Sequence, residues 1–325
     1  MSRTEFKIHK INFRNDAFYS AFAKAHGAIF NSIELLSIYP ENLEVMGLFK
    51  GNEIIAVWNH WKNKRGPISF YRTPPLMPGN ALAISLKSIN NATVSGEIKA
   101  VMMSIADYYA SMKWSIVSLN FPPEIIDLQP FAWRGFKVIS FYTYRLPLPL
   151  TREAIMERMH FKLRNAIAKA QADGLKCLRV ADISLVRNMV LSSLERKNVS
   201  AYRHIMDDLF KNIASEANSV AFVSYDGEKP IAASFCIIDK DKVFYLFGGY
   251  DYLSKHRGAG ALCLFQSILF ANEIGKSIFD FEGSMLPKVE RYFRDFGADL
   301  TPYYSVNKAN FLLEMIMKIK QPGKF

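Results

Sequence analysis

Val243-Phe-Tyr-Leu-Phe-Gly-Gly-Tyr250, running into Asp251-Tyr-Leu-Ser-Lys-His-Arg-Gly-Ala-Gly-Ala261, is the stretch on which the reading of this chain turns. An apolar run with the composition of a buried strand gives way to a short polar loop, and a helical pattern starts at once. Gly258, Ala259, Gly260 and Ala261 carry almost no side chain, so an anion can approach their backbone N–H groups. A helix starting there adds the positive end of its dipole. Lys255, His256 and Arg257 stand beside the loop and can neutralise phosphate charge. The segment reads as a diphosphate cradle. It is not a Walker loop, since no Gly-Lys-Ser/Thr follows, and it lacks the Gly-x-Gly-x-x-Gly spacing of a dinucleotide fold.

The chain also repeats itself. Phe49-Lys-Gly-Asn-Glu-Ile-Ile-Ala56 has a counterpart in Tyr225-Asp-Gly-Glu-Lys-Pro-Ile-Ala232. Each sets a Gly-containing turn between β-rich runs (43–49 with 54–58, and 220–225 with 231–238), which predicts two hairpins. A helical pattern over 101–113 precedes a strand at 114–120, and one over 262–274 precedes a strand at 277–281. Trp133-Arg-Gly-Phe136 and Phe293-Arg-Asp-Phe296 each precede an aromatic strand. Three matched elements in one order point to duplication. The join falls near Pro147-Leu-Pro-Leu150, which cannot continue a central strand, giving domains 1–148 and 149–325. Beyond it Ile155, Met159, Leu163, Ile167 and Ala170 predict one long helix over 152–172, capped by Thr151 and closed at Asp173-Gly174.

With 325 residues, half of them hydrophobic and 22% charged, the chain has material for two cores and none of the marks of disorder. No apolar run approaches the roughly 18 residues needed to cross a bilayer, and the opening Met-Ser-Arg-Thr-Glu-Phe-Lys has no apolar h-region. Cys177, Cys236 and Cys263 are odd in number and far apart in sequence, which predicts neither a disulfide framework nor a zinc site. The expected compartment is the cytoplasm, without integral membrane association. The six histidines show no metal spacing and no Ser-His-Asp arrangement is visible, so no metal is expected. The net charge of +11 comes from 16 basic and 10 acidic residues over 1–150, and 25 and 20 over 151–325. So even a field favours anionic ligands such as phosphates, nucleotides or RNA without choosing among them, and an ordinary soluble basic protein fits it as well.

Lys255-His-Arg-Gly-Ala-Gly260 resembles the Arg/Gln-x-x-Gly-x-Gly/Ala loop with which N-acetyltransferase-type (GNAT) enzymes hold the pyrophosphate of acyl-coenzyme A, with Lys255 in place of the usual first residue. Ile278-Phe-Asp-Phe-Glu-Gly-Ser284 and Val289-Glu-Arg-Tyr-Phe-Arg-Asp-Phe-Gly-Ala298 are similar to the Fem-type (FemABX-like) branch of that superfamily. So are Phe161-Lys-Leu-Arg-Asn-Ala-Ile-Ala-Lys-Ala170 with Gly174, and Asp127-Leu-Gln-Pro-Phe-Ala-Trp-Arg-Gly-Phe136 with Tyr142-Thr-Tyr-Arg-Leu146. The resemblance spans most of residues 40–310. It implies an α+β (α/β) chain of two tandem GNAT-like domains, each a mixed, mostly antiparallel sheet flanked by helices. It implies an N-acyltransferase that takes its group from acyl-coenzyme A or aminoacyl-tRNA and delivers it to an amine of a small-molecule, peptide or cell-wall-precursor acceptor, with tRNA but not DNA among the partners. Between Ala181 and Ser219 there is room for two ordinary helices and not for the coiled-coil arm of some Fem-type enzymes. The alternative is a non-catalytic nucleotide- or RNA-binding protein that keeps the fold.

The resemblance also assigns roles. Phe247, Gly248 and Gly249 occupy the place where GNAT main-chain N–H groups meet the acyl group. Glu282, ending a short apolar strand beside Gly283, is the candidate general base, its pKa raised by partial burial; helix capping or pairing with an arginine explains it equally well. Ser284 stands where a strand-terminal polar residue meets the acyl or pantetheine chain, or else caps a helix at Met285. Tyr292 lies near the place of the GNAT tyrosine that acts as general acid, though an aromatic on an amphipathic helix also suits a core. Arg294 on the same helix meets an anionic substrate or solvent. The first copy has Tyr71-Arg-Thr-Pro-Pro-Leu76 instead of a glycine pair. It is expected to have lost the donor loop and to bind the acceptor, with Arg72 and Arg145 as contacts.

Overall fold

Gly51 and Gly227, both left-handed (φ 60° and 59°), turn the chain between the paired strands of the two expected hairpins. The computed structural model describes residues 6–40, 42–113, 115–195, 202–215, 217–254, 256–283, 285–320 and 323–324. Its first repeat runs β1 (Phe6–Ile11), α1 (Ala17–His26), α2 (Ile33–Ser37), β2 (Leu43–Lys50), β3 (Glu53–Arg65), β4 (Ile68–Arg72), β5 (Ala83–Ile84), α3 (Asn91–Ala110), β6 (Ser115–Asn120), α4 (Gln129–Trp133) and β7 (Lys137–Pro147). Two linking helices follow, α5 (Arg152–Arg158) and α6 (Phe161–Ala172). The second repeat is β8 (Lys176–Arg179), α7 (Ile183–Glu195), α8 (Arg203–Asn212), β9 (Ser219–Asp226), β10 (Lys229–Ile238), β11 (Lys242–Tyr250), α9 (Ala259–Glu273), β12 (Ile278–Asp280), α10 (Pro287–Arg294) and β13 (Asp299–Ala309), with α11 (Phe311–Lys320) after it. Apart from the short β5 and two 3-10 turns, Phe13–Asn15 and Ile29–Asn31, the two orders agree element for element among the described residues.

Strand pairing repeats as well. β1-β2-β3-β4 is antiparallel throughout and β4 then pairs parallel with β6; β8-β9-β10-β11 is antiparallel and β11 pairs parallel with β12. The last strand of each repeat is exchanged. β13 pairs with β6 through Ser305–Ala309, and β7 pairs with β12 through Arg145, Leu146 and Pro147, both antiparallel. Packing accordingly divides the chain into two units, 1–141 with 302–325, and 142–301. The join expected after Leu148 lies inside the second unit, because β7 is already hydrogen-bonded there. The first unit's core holds Trp58, Tyr109, Phe121 and Phe131; the second's holds Phe265, Phe279, Phe281 and Phe296. The chain is thus two tandem GNAT-like domains, each a mostly antiparallel sheet flanked by helices.

Two expectations are corrected. The long helix over 152–172 is two helices, because the turn after α10 occupies the place where the first would continue. The His160 N–H donates to Asp295 O at 2.8 Å, and a Cβ at Gly297 would lie 2.1 Å from Arg158 O. α3 begins at Asn91 rather than Val101, its start fixed by Asn90, whose side chain accepts from the N–H groups of Ala92 and Thr93. Its first turns are solvated and show no apolar period.

Candidate functional site

The parallel pair of the second unit opens the site. β11 and β12 are bonded from Lys242 opposite Ile278 to Phe244 opposite Asp280, and there the ladder ends while β11 runs on to Tyr250. A bulge marks the parting. Across β10, Phe235 pairs with Phe247 and Cys236 with Tyr245, which leaves Leu246 as the extra residue. Phe293 of α10 packs on both arms, with ring centroids 5.9 Å from Tyr245 and 5.5 Å from Phe281.

Asp280 and Glu282 follow this parting. Asp280 is buried and satisfied. Its carboxylate accepts from Thr143 Oγ1 at 2.7 Å, from Arg145 Nε at 2.6 Å and from the Glu282 N–H at 3.0 Å. Glu282 is its opposite. Its backbone is left-handed (φ 60°) although it is not a glycine, and its Oε1 is buried with no hydrogen-bond partner. Left-handed backbone and an orphaned carboxylate oxygen each cost about 1–3 kcal/mol, and both persist only where the surroundings enforce them. Burial pushes the carboxyl well above the usual carboxylate range and the Asp280 charge pushes it further, while Arg145 and Lys242 pull it back. Gly283 follows at φ 62°, where a Cβ would meet Tyr142 O at 2.4 Å, so the turn presses against β7.

The glycines of the sequence motif receive packing reasons. A Cβ at Gly248 would lie 2.1 Å from the Tyr245 hydroxyl, at Gly249 2.7 Å from Met189 Cβ on α7, and at Gly258 2.1 Å from Ala166 O on α6. The Gly258 N–H donates to His256 Nδ1 at 3.2 Å, and His256 Nε2 meets Asp173 Oδ2 at 3.1 Å. His256 therefore closes one amide of the cradle with its own ring. What remains is the start of α9 proper. Ala259, Gly260 and Ala261 form its first turn without a side-chain cap; the Ala259 N–H donates to His256 O at 3.3 Å, and the N–H groups of Gly260 and Ala261 are the ones suited to an anion. At Gly260 a Cβ would have the Tyr292 hydroxyl as its nearest neighbour, 3.8 Å away, so close approach is open there. Arg257 beside it is exposed. These residues fit one diphosphate, in a narrower cradle than the sequence suggested.

Burial raises the Tyr292 and Tyr245 hydroxyls well above the ordinary tyrosine value, so both remain protonated donors. Arg145 is nearly buried and spends its Nε on Asp280. Arg294 is exposed and meets Glu290 at 3.6 Å. Arg72 belongs to the first unit, its guanidinium 5.6 Å from the Phe70 ring centroid. Lys255 and Ser284 lie outside the described residues. Sequence reasoning passed over Asp280 and Thr143. Asp280 had a legible signal, a second carboxylate two residues before Glu282; Thr143 had none, because strand exchange alone brings it there. Among the described residues no group of three or more His, Cys, Asp or Glu is placed to hold a metal ion.

The second unit thus carries a parallel strand pair that parts, an uncapped helix start after one strand and a carboxylate on left-handed backbone after the other. Residues 158–294, all within the second unit, match the family model described as the acetyltransferase (GNAT) domain. Among solved structures the chain is similar to FemX, at 12% identity and a TM-score of 0.63, covering 96% of this chain and 100% of that one. It is similar to a conserved protein of unknown function from Bacteroides thetaiotaomicron VPI-5482, at 13% identity, a TM-score of 0.58 and coverage of 94% and 100%. It is also similar to L-PGS from Bacillus licheniformis, at 10% identity, a TM-score of 0.56 and coverage of 98% and 99%. No curated protein matches it. The chain resembles the Fem-type GNAT proteins in fold across nearly its whole length.

Proposed function

We propose that this protein is an N-acyltransferase that moves an acyl or aminoacyl group from a coenzyme A thioester or an aminoacyl-tRNA to the amino group of a small or cell-wall-precursor acceptor. The observation that carries this reading is Glu282, which follows the parting strands on a left-handed backbone with its carboxylate Oε1 buried and without a partner. Acyl transfer to an amine needs a group that removes the nitrogen's proton. An ammonium group arriving at Glu282 supplies the partner that Oε1 lacks. In a desolvated site the neutral pair is favoured over the ion pair, so the proton passes to Oε1 and the nitrogen lone pair is freed. The freed nitrogen attacks the donor's activated carbonyl; as the amide C–N bond forms, the C–S bond of the thioester or the C–O bond of the aminoacyl ester breaks, and the nitrogen's second proton passes to the departing thiolate or ribose oxygen. The N–H groups of Gly260 and Ala261, with Arg257, hold the donor's phosphate, the backbone of Phe247–Gly249 is the source of oxyanion donors, and the Tyr292 hydroxyl offers a hydrogen bond near the start of α9.

Titration calorimetry with coenzyme A, and separately with charged tRNA, tests the donor. Coenzyme A binding that disappears in Gly260→Trp and in Arg257→Ala assigns the thioester. Salt-sensitive tRNA binding without heat from coenzyme A assigns the aminoacyl donor. Failure of both donors to acylate any amine in a broad acceptor screen defeats the reading and leaves a binding protein.

A further inference from the structure

α11 has two apolar faces, and only one is packed. The side chain of Asn310 caps it, accepting from the Leu313 N–H at 3.0 Å. Leu313 and Met317 then dock among Ile68, Phe70, Ile116 and Ala309 of the first unit. The opposite side carries Phe311, Leu312, Met315, Ile316 and Ile319, each between 49 and 84% exposed. At about 100° per residue these five fall in one stripe roughly 140° wide. A helix of a water-soluble domain turns such a stripe inward, and large contiguous apolar surface left in water marks a place of interaction. Lys318 and Lys320, both exposed, flank the stripe, roughly 20° beyond one border and 40° beyond the other. The helix's acidic residue, Glu314, lies outside the stripe and is bonded to Lys318 at 3.0 Å.

We propose that this face docks on an anionic lipid bilayer, with α11 lying in the plane of the interface. The five apolar side chains enter the acyl boundary, and Lys318 and Lys320 rise along their own stems to the headgroups on either side. Charge complementarity selects this occupant. A net charge of +11 draws the chain to a negative surface, whereas a second copy of the same face would set lysine borders against lysine borders. Among the described residues no helix is long and apolar enough to cross a membrane, so α11 rests on the bilayer rather than spanning it. The inference is independent of the acyl-transfer reading.

Sedimentation of the full chain with large vesicles tests it, comparing phosphatidylcholine alone with a two-to-one mixture of phosphatidylcholine and phosphatidylglycerol. The protein is expected to pellet with the mixed vesicles and to lose at least about tenfold in partitioning on neutral ones. Ile316→Ser/Ile319→Ser is expected to lower partitioning by roughly a hundredfold. Lys318→Gln/Lys320→Gln should lower it by roughly tenfold and weaken its salt dependence. All four side chains are exposed, and thermal melts of the variants should match the parent. Absence of binding to the anionic vesicles, or binding indifferent to both double substitutions, overturns the proposal. So does a change of oligomeric state in Ile316→Ser/Ile319→Ser without lipid, which would assign the face to a second copy.

Discussion

Each unit buries an ionisable group, and the two are treated in opposite ways. In the first, Trp58 Nε1 donates to the Tyr109 hydroxyl at 2.9 Å, that hydroxyl donates to His60 Nδ1 at 2.7 Å, and His60 Nε2 donates to Glu44 Oε2 at 3.0 Å. Burial pushes the His60 pKa down and keeps the ring neutral, while the His60 hydrogen bond holds Glu44 at about 2. Every proton in this network has one donor and one acceptor, so the tautomer follows from it. In the second unit Glu282 has a buried oxygen with no partner, a left-handed backbone and a raised carboxyl pKa. The first unit's own unpartnered atoms, on Asn59 and Asn80, belong to neutral amides with no proton to pass. Burial of charge is therefore a poor sign of function, because a closed network needs no ligand. An unbalanced titratable group is a better one.

Glu282→Gln should break the contrast most. The amide keeps the shape and removes the base, so the acyl-transfer rate is expected to fall by about 10²–10⁴. Stability should move the other way. A carboxyl whose folded pKa is raised stabilises the fold below its unfolded value near 4.5, and that contribution is lost as pH rises through the folded value. A glutamine amide does not titrate and has no such loss, so the variant should melt higher than the parent at pH 8. A transfer rate within about twofold of the parent would take Glu282 out of the general-base step.

Gly258→Ala and Gly260→Ala sharpen the division between packing and binding inside the loop. The first drives a methyl to 2.1 Å from Ala166 O, a rigid helix backbone, and should destabilise the protein by about 3 kcal/mol. The second meets nothing closer than 3.8 Å and should leave the melting temperature nearly unchanged while weakening donor binding. Denaturant melts and donor titrations separate the two. Equal stability loss in both variants would mean that the start of α9 is packed shut.

Tyr109→Phe tests the balanced network. It strands His60 Nδ1 and Trp58 Nε1 together and should cost about 1–3 kcal/mol, with transfer kinetics unchanged where the variant is folded. Acid should act on the same network. Below 6.5 the unfolded chain takes up a proton at His60 that the folded chain refuses, so stability falls as pH drops through that value. It falls again from 4.5 toward about 2 as Glu44 is protonated. Equilibrium unfolding across pH 3–8, with the parent beside Tyr109→Phe, reads both steps.

Local chemistry was legible in the sequence and close approach was not. The hairpins at Gly51 and Gly227 and the repeated order of elements rest on period and turn composition, which one chain displays. The exchange of β7 and β13 has no local signal, because either strand satisfies the same alternation in either sheet. The glycines show the limit best. Gly258 reads from sequence as a bared amide, and only the path of α6 across it gives the other reason for lacking a side chain. Glu282 was found by its place after an apolar strand, but its left-handed backbone depends on β7 pressing against Gly283, a contact made by residues about 140 positions earlier.

Comparing Glu282→Gly with Glu282→Gln isolates that strain and has the smallest expected effect. Both variants lack the carboxylate, so transfer should fall alike in both and the loss of the buried charge cancels. What differs is the backbone. A side chain at φ near 60° costs about 1–2 kcal/mol, and glycine escapes that cost. Against this, glycine gives up about 0.5–1 kcal/mol more chain entropy on folding. The glycine variant should therefore be the more stable by about 0.5–1 kcal/mol in equilibrium unfolding. If it is no more stable than the glutamine variant, the left-handed turn at 282 costs no more than the roughly 0.5–1 kcal/mol of chain entropy that glycine gives up. Strain that small drops out of the contrast between the units, which would rest on the unpartnered oxygen alone.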